Sequence, residues 1–577
     1  MLERIAVLEL ALAFRRALVR KDVARMARYS WLRMRRKTDP ELPLEPPIWF
    51  GNRSNGEYFR EATERDRKLR KLILEKADEN ARRLGMDRRE FLASAMGMAT
   101  TFWGINYATA CSSEESGGGP GGAGAGGGSG SGGVGGVGGV GGVGGGPDSG
   151  PDARLCAMPE TMLDESAACE MLSGNEFIMD VQTHWFKRED LDRFQVYQQL
   201  FGSLFATATE PNYINQMFLM SDTTVAALTS WPGVSCTPGQ MVCGLPLSNE
   251  SMAASRDKIN QLAANTRRVV QHVQLHPQGP AGIQPELETM ERICAAHGAA
   301  AWKLYPGFGP GFKLNDPNGR AVIEKGLQIG LSQFCVHKGL QIGSFFIPEY
   351  NYPDDVGIVA KDYPTAKFVI YHSAICAGHQ SCEDRANPAP PEGPYDATSP
   401  RPSGVNSLIR SLADNGIGPE PGQRPNTNVY GEVGSAINEV MTDPVQSAHF
   451  FGKLMKYLGT DYVVWGTDCI IYGSPQRFID WFRALEIPQS MQDQYGYPPL
   501  NAENKRKILG LNAAALYGLD PTETRCQVQQ TASYRLKQQL DDELGPRRWA
   551  FQRPAGPQSR EEFVHHYKLC NALGRPG

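Results

Sequence analysis

The sequence predicts an α/β fold: a (β/α)8 barrel of the TIM type, preceded by a helical and disordered N-terminal extension and a Gly-rich linker. Three observations carry this reading. From Asn175 onward, eight short apolar, β-rich runs alternate with helix-like sequence, the signature of a parallel sheet, and eight such units are enough to close it. Polar residues fall at the ends of several runs, at His184, Lys303, His337, His372, Glu432 and Asp468, where this fold gathers its chemistry. The chain has 577 residues, too many for one compact core and enough for a barrel with extensions.

The predicted strands, in order, are Phe177–Trp185, Val225–Thr229, Val269–His276, Ala299–Tyr305, Gln333–His337, Lys367–His372, Asn428–Val433 and Tyr462–Asp468. A helix over Pro285–His297 leads into the fourth, and a closing helix covers Lys505–Tyr517. In the first strand Asp180, Gln182 and His184 sit two apart, so simple alternation puts all three on one face. The stretch from Ala377 to Pro425 is rich in Pro, Gly and Asn; a loop that long reads as a lid or specificity insert over the mouth. Cys376 and Cys382 flank its start, and Cys236 and Cys243 follow strand two; either pair is placed to bridge or to stay free. His272, His276 and His297 are read as structural, His379 as a loop residue near the site, and His565 and His566 as solvated.

Before the barrel the chain changes character several times. Residues 1–85 form a charged extension that is densely basic from Arg15 to Lys37, with a solvated helix over Arg60–Leu84. Residues 86–111 begin with Asp87-Arg-Arg-Glu-Phe-Leu92 and run through small, weakly apolar residues to Cys111. This segment resembles a twin-arginine export signal, and Ala108-Thr-Ala-Cys111 resembles a lipobox. The resemblance implies export to the periplasm or cell envelope with a lipid anchor at Cys111; a cytoplasmic helix is the other reading. Residues 112–153 are Gly/Ser/Val low complexity, which cannot bury enough apolar surface to order itself. As a tether, Ser116–Pro151 would span roughly 30–35 Å r.m.s.. The barrel domain covers 175–520, and 521–577 reads as a helical tail.

Composition excludes several classes. A net charge of −4, with 21% charged residues, argues against a nucleic-acid partner. The 12 cysteines contain no CxxC pair, which argues against a zinc ribbon or iron–sulfur site. No run of 18 apolar residues occurs, as a membrane-spanning helix would need. The partners expected are a small-molecule substrate, a membrane surface reached through the N-terminal region, and a second copy of the chain.

Several stretches together carry a family resemblance: Asp180-x-Gln182-x-His184, Trp302-Lys-Leu-Tyr305, Val336-His-Lys-Gly339, Tyr371-His-Ser373, Trp465-Gly-Thr-Asp468 and the Leu-Asn-Ala-Ala-Ala-Leu-Tyr-Gly-Leu of Leu511–Leu519. Over about Asn175–Leu519 the chain resembles the metal-dependent amidohydrolase superfamily, in its branch of small amidohydrolases and decarboxylases. That family opens on Asp-x-His-x-His, so Gln182 stands where its first histidine ligand would be. The resemblance implies one divalent ion, zinc or manganese, held by His184, His337 and Asp468 with Gln182 beside them. It also implies Asp468 as proton acceptor, His372 polarising the substrate carbonyl, and Lys303, His372 and Glu432 contacting substrate.

Three functions follow from this. The first is a metal-dependent hydrolase that activates water to cleave a C–N or C–O bond. The second is a non-oxidative decarboxylase of an aromatic or unsaturated acid, for which Arg385 and Arg401 are candidate carboxylate clamps. The third is a catalytically reduced ligand-binding barrel, motivated by Gln182.

Overall fold

A computed structural model describes residues 63–110, 176–186, 208–232, 247–279, 282–340, 346–376, 391–470 and 473–544, with isolated positions near 44–50 and 162–168. The basic segment, Cys111, the Gly-rich linker, Cys236 and Cys243, His379, Cys382, Arg385, and His565 and His566 lie outside the described residues.

Eight parallel strands follow one another around the sheet in chain order. They are β1 Met179–Thr183, β2 Val225–Leu228, β3 Val269–Gln274, β4 Ala301–Leu304, β5 Gln333–His337, β6 Lys367–Tyr371, β7 Val429–Glu432 and β8 Val463–Val464. The seam between β8 and β1 is bridged by Val181 N–H donating to Trp465 O and His184 N–H donating to Cys469 O. Every predicted strand is therefore present, most of them shorter than their apolar runs, because the run continues into the turn that carries the strand-end residue.

Alternation sorts the strand residues into two layers. Met179, Val225, Val270, Ala301, Cys335, Val369, Tyr371 and Val464 fill the barrel. Ile178, Ala226, Trp302, Phe334, Phe368 and Val463 face the surrounding helices. Tyr517, from the closing helical segment, plugs the interior: its hydroxyl lies 2.7 Å from His272 Nε2, and His272 Nδ1 lies 2.9 Å from the Tyr371 hydroxyl. Tyr371 donates to Val181 O, so the chain of bonds has one polarity, with His272 neutral and protonated on Nδ1. His272 is structural, as its sequence context suggests.

Two expectations change. The register of β1 against β2 shifts between Asp180 and Thr183, a bulge that puts successive residues out of alternation. Asp180 pairs opposite Ala226 of the outer layer and accepts from the N–H groups of Gln182 and Thr467 and from the Thr467 hydroxyl. Gln182 and His184 reach the mouth without it. The stretch after β6 is also not one open loop. Val405–Asp414 is a helix that buries Val405, Leu408, Ile409 and Leu412 on one side, the 3.6-residue pattern of a barrel helix. Cys376, at the start of this stretch, is disulfide-bonded.

The helices before the linker are part of the same core. They are α1 Glu64–Leu84, α2 Arg88–Ala93 and α3 Ala95–Ala110. Thr63 caps α1 in a reciprocal box with Asp66, and Gly85 ends it in the left-handed conformation, as such a stop favours. Leu69, Ile73 and Ala77 of α1 pack with Phe91, Met96, Ala99 and Trp103 in the cluster that also holds Phe450 and Phe451 of the barrel. Gly104 lets α3 close on α1, since a methyl there would collide with Ile73. Arg65 pairs with Asp443, the cap of the barrel helix Pro444–Lys453, at 2.7 Å. Arg88 donates to Leu74 O at 2.9 Å. Arg88–Ala93 and Ala95–Ala110 of the segment that resembles an export signal are thus helical, with Phe91, Leu92, Met96 and Trp103 buried in the shared core, and among the described residues no helix is long and apolar enough to cross a membrane.

This shared core makes a prediction. Phe91 is fully buried, and Phe91→Ala should lower the stability of the full chain by about 3–5 kcal/mol, the usual cost of an emptied aromatic site. Urea denaturation measures it. An unchanged midpoint would show that α1–α3 do not contribute to the barrel's stability.

Candidate active site

Backbone strain among the described residues concentrates at the C-terminal ends of the strands. Among the described residues, seven non-glycine residues have a positive φ; His372, Ser373, Ala374, Ser435 and Asp468 are five of them. They follow β6, β7 and β8 and meet at the mouth. Each such residue costs of order 1–3 kcal/mol and persists only where its surroundings hold it, typically where side chains are being aimed.

The three strand-end histidines share one arrangement. His184 Nδ1 lies 2.7 Å from Thr229 O, His372 Nδ1 lies 2.7 Å from Gly434 O, and His337 Nδ1 lies 3.3 Å from Asn351 Oδ1. A carbonyl oxygen can only accept, so each ring carries its proton on Nδ1 and, when neutral, presents a bare Nε2. Burial holds His372 down to about 4, against the pull of Asp468 and of the Gly434 carbonyl. Burial, with His372 and Lys303 nearby, holds His337 well below the usual imidazole range. The rings of His337 and His372 stand 4.7 Å apart, edge to face.

Asp468 faces them. Its Oδ1 accepts from Gln182 Nε2 at 3.0 Å and its Oδ2 from the Ser435 hydroxyl at 2.5 Å. Burial alone would raise this carboxyl, but His184, His372 and Ser435 outweigh it, and it stays ionised well below the ordinary range. His184 Nε2 stands 2.7 Å from Asp468 Oδ1 without the alignment of a hydrogen bond. Two potential ligand atoms this close, each side chain with its own anchor, are placed to share a third partner.

Glu432 and Lys303 complete the ring of strand-end residues. Glu432 is pushed up to about 8 by burial, although the N–H groups of His372 and Gly434 oppose the shift. Both its oxygens accept from those two N–H groups, so it positions the His372 turn. Gly466 makes room for it, because a methyl there would collide with Glu432 Oε1. Lys303 Nζ, fully buried, lies 3.1 Å from the centroid of the Tyr371 ring and 4.6 Å from that of Tyr305; burial brings it down to about 7. Arg401 stacks on Tyr352. Ser435 and Gln274 belong to the mouth and were not singled out from the sequence, since a serine in a turn and a glutamine in a strand carry no distinctive spacing.

Several buried polar atoms at the mouth have no hydrogen-bond partner: Gln182 Oε1, His184 Nε2, Lys303 Nζ and His337 Nε2. Buried polar groups are nearly always satisfied, so this concentration marks a place built for something that binds. The donors fit a divalent cation in kind: neutral imidazole nitrogens fixed through Nδ1, an ionised carboxylate, and the amide oxygen of Gln182. Among the described residues no group of three or more His, Cys, Asp or Glu forms a ready-made metal cluster; the pair His184–Asp468 is the part already drawn together.

No protein-family model matches the chain, and no curated protein does. Among solved structures, an uncharacterised TIM-barrel protein from Bordetella bronchiseptica is similar at 12% identity and a TM-score of 0.35, over 59% of this chain and 99% of that chain. A 4-oxalomesaconate hydratase from Rhodopseudomonas palustris is similar at 13% identity and a TM-score of 0.35, over 63% and 100%. A 5-carboxyvanillate decarboxylase from Novosphingobium aromaticivorans, complexed with manganese, is similar at 10% identity and a TM-score of 0.35, over 61% and 97%. Likeness at this level carries no argument about chemistry, and the site stands on its own geometry.

Proposed function

We propose that the barrel is a metal-dependent hydrolase that cleaves a C–N or C–O bond of a small organic substrate. The observation that carries this is the shared anchoring of His184, His337 and His372, each tied through Nδ1, with His184 Nε2 at 2.7 Å from the ionised Asp468 and His337 packed on His372. His184 Nε2, His337 Nε2 and Asp468 Oδ1 would hold the ion, with Gln182 Oε1 as a neutral oxygen beside them. A divalent ion held there supplies Lewis acidity, which polarises a carbonyl and makes water acidic at neutral pH.

The residues then divide the remaining work. Asp468 already accepts from Gln182 and Ser435 and is a weak base, so it serves as a ligand. His372 keeps Nδ1–H on Gly434 O, which leaves Nε2 as an acceptor. It takes a proton from water and returns it to the leaving group, instead of donating to an oxyanion as the family resemblance implies. Glu432 fixes the backbone N–H of His372 and so its direction. Lys303 is a buried amine at the mouth without a hydrogen-bond partner, and it favours decarboxylation as a second reading, because it can face a substrate carboxylate. A screen of esters, lactones, amides and aromatic acids, read as acid release against carbon dioxide release, separates the two.

Two predictions follow from the donor set. Full chain incubated with zinc or manganese and desalted should retain about one ion per chain, as a mononuclear site would. His184→Ala and Asp468→Asn should each lose it while keeping the thermal midpoint of the metal-free protein. Metal content unchanged in both variants would place the ion elsewhere. The second concerns Gln182, whose amide oxygen is a weaker ligand for zinc than imidazole. Gln182→His should raise zinc affinity by about tenfold or more, measured by competition with a chromophoric chelator, and equal or weaker zinc binding would remove Gln182 from the site.

A further inference from the structure

β3 and β4 end side by side at the mouth. Gln274 is the register partner of Lys303, and His272 that of Ala301. Val270 and Ala301 fill the barrel interior, so alternation turns Gln274 and Lys303 inward as well. Both are buried, at 1% and 0% exposure. Gln274 Nε2, Gln274 Oε1 and Lys303 Nζ have no hydrogen-bond partner. The strand end itself is firmly held: Asn249 Oδ1 accepts from Gln274 N at 2.9 Å, and Asn249 Nδ2 donates to Gln274 O at 3.0 Å. The unpaired side chain is therefore not a product of loose backbone.

We propose that Gln274 and Lys303 form a carboxylate-binding pair, and that the substrate is a small carboxylic acid held there as its anion. Two donors on adjacent strands match the two oxygens of a carboxylate, and a charged donor strengthens the contact. The anion selects this pair because the acids nearby are already occupied. Both oxygens of Glu432 accept backbone N–H groups, and Asp468 accepts from Gln182 and Ser435. Lys303 has the faces of Tyr371 and Tyr305 beneath it, which favour a cation and leave its N–H groups unspoken for. Gln274 Oε1 accepts from the ammonium or from a hydroxyl next to the carboxylate. The substrate's reacting carbon then projects toward His337 and His372. This names the substrate class of the proposed centre and rests on the mouth being its active site.

Calorimetric titration of the full chain tests it, using benzoate and butyrate against the uncharged benzamide and butyramide, with and without prior chelation. The acids should bind about tenfold or more tightly than the amides. Lys303→Met and Gln274→Leu should each weaken acid binding by about tenfold or more with the amides unchanged. Gln274→Glu, which keeps size and shape, should abolish acid binding and serves where Lys303→Met does not fold. Equal binding of acids and amides, acid binding unaffected by Lys303→Met or Gln274→Glu, or no acid binding at all would overturn the proposal. The two readings fail separately. Acid binding that depends on metal and not on Lys303 removes this pair and leaves the metal centre. Lys303-dependent acid binding by a chain with no affinity for metal does the reverse.

Discussion

The seam where β8 meets β1 is the constraint on which the site depends. Asp180 stitches it, taking the N–H groups of Gln182 and Thr467 and the Thr467 hydroxyl. Its burial pushes this carboxyl up to about 7, so the stitch is a hydrogen-bonded acid deep in the wall. The bulge next to it lets Gln182 and His184 turn inward, and Asp468 N–H donating to Gln182 O at 2.9 Å sets Asp468 opposite them. Without the stitch, the Gln182 amide, the His184 ring and the Asp468 carboxylate would have no reason to meet.

From that seam the polar groups spread around the mouth in a graded way. On the β6, β7 and β8 side, Glu432, Ser435 and strained turns hold His372 and Asp468 through many bonds. On the β1, β3, β4 and β5 side, Gln182, His184, Gln274, Lys303 and His337 each keep an atom without a partner. One half is fixed in advance and the other is left to a ligand. Preorganisation on one side and unmet hydrogen-bonding capacity on the other are what a site for small-molecule chemistry requires.

Much of the fold was legible because strand periodicity survives without tertiary information: β5 lies over Gln333–His337 as its apolar run predicts. The strand-end residues were legible for the same reason. What failed depended on tertiary structure. A bulge cannot be seen in an alternating string, so alternation alone puts Asp180 on the face of Gln182 and His184, and the register shift in β1 takes it off. The Val405–Asp414 helix was hidden by the proline-rich sequence around it. The glycine linker suggested separate units, whereas Phe91 and Trp103 share a core with Phe450. Gln274 differs in kind, because a strand glutamine becomes informative only once its amide is found buried without a partner.

The central claim is that anchored imidazoles and Asp468 make a metal centre. X-ray absorption of the zinc-loaded full chain reads the ion's surroundings directly. The account predicts nitrogen and oxygen neighbours at about 2.0–2.1 Å, with the outer scattering of at least two imidazole rings, and loss of one ring in His337→Ala. A shell with sulfur at about 2.3 Å, or one of oxygen alone without imidazole scattering, would contradict it.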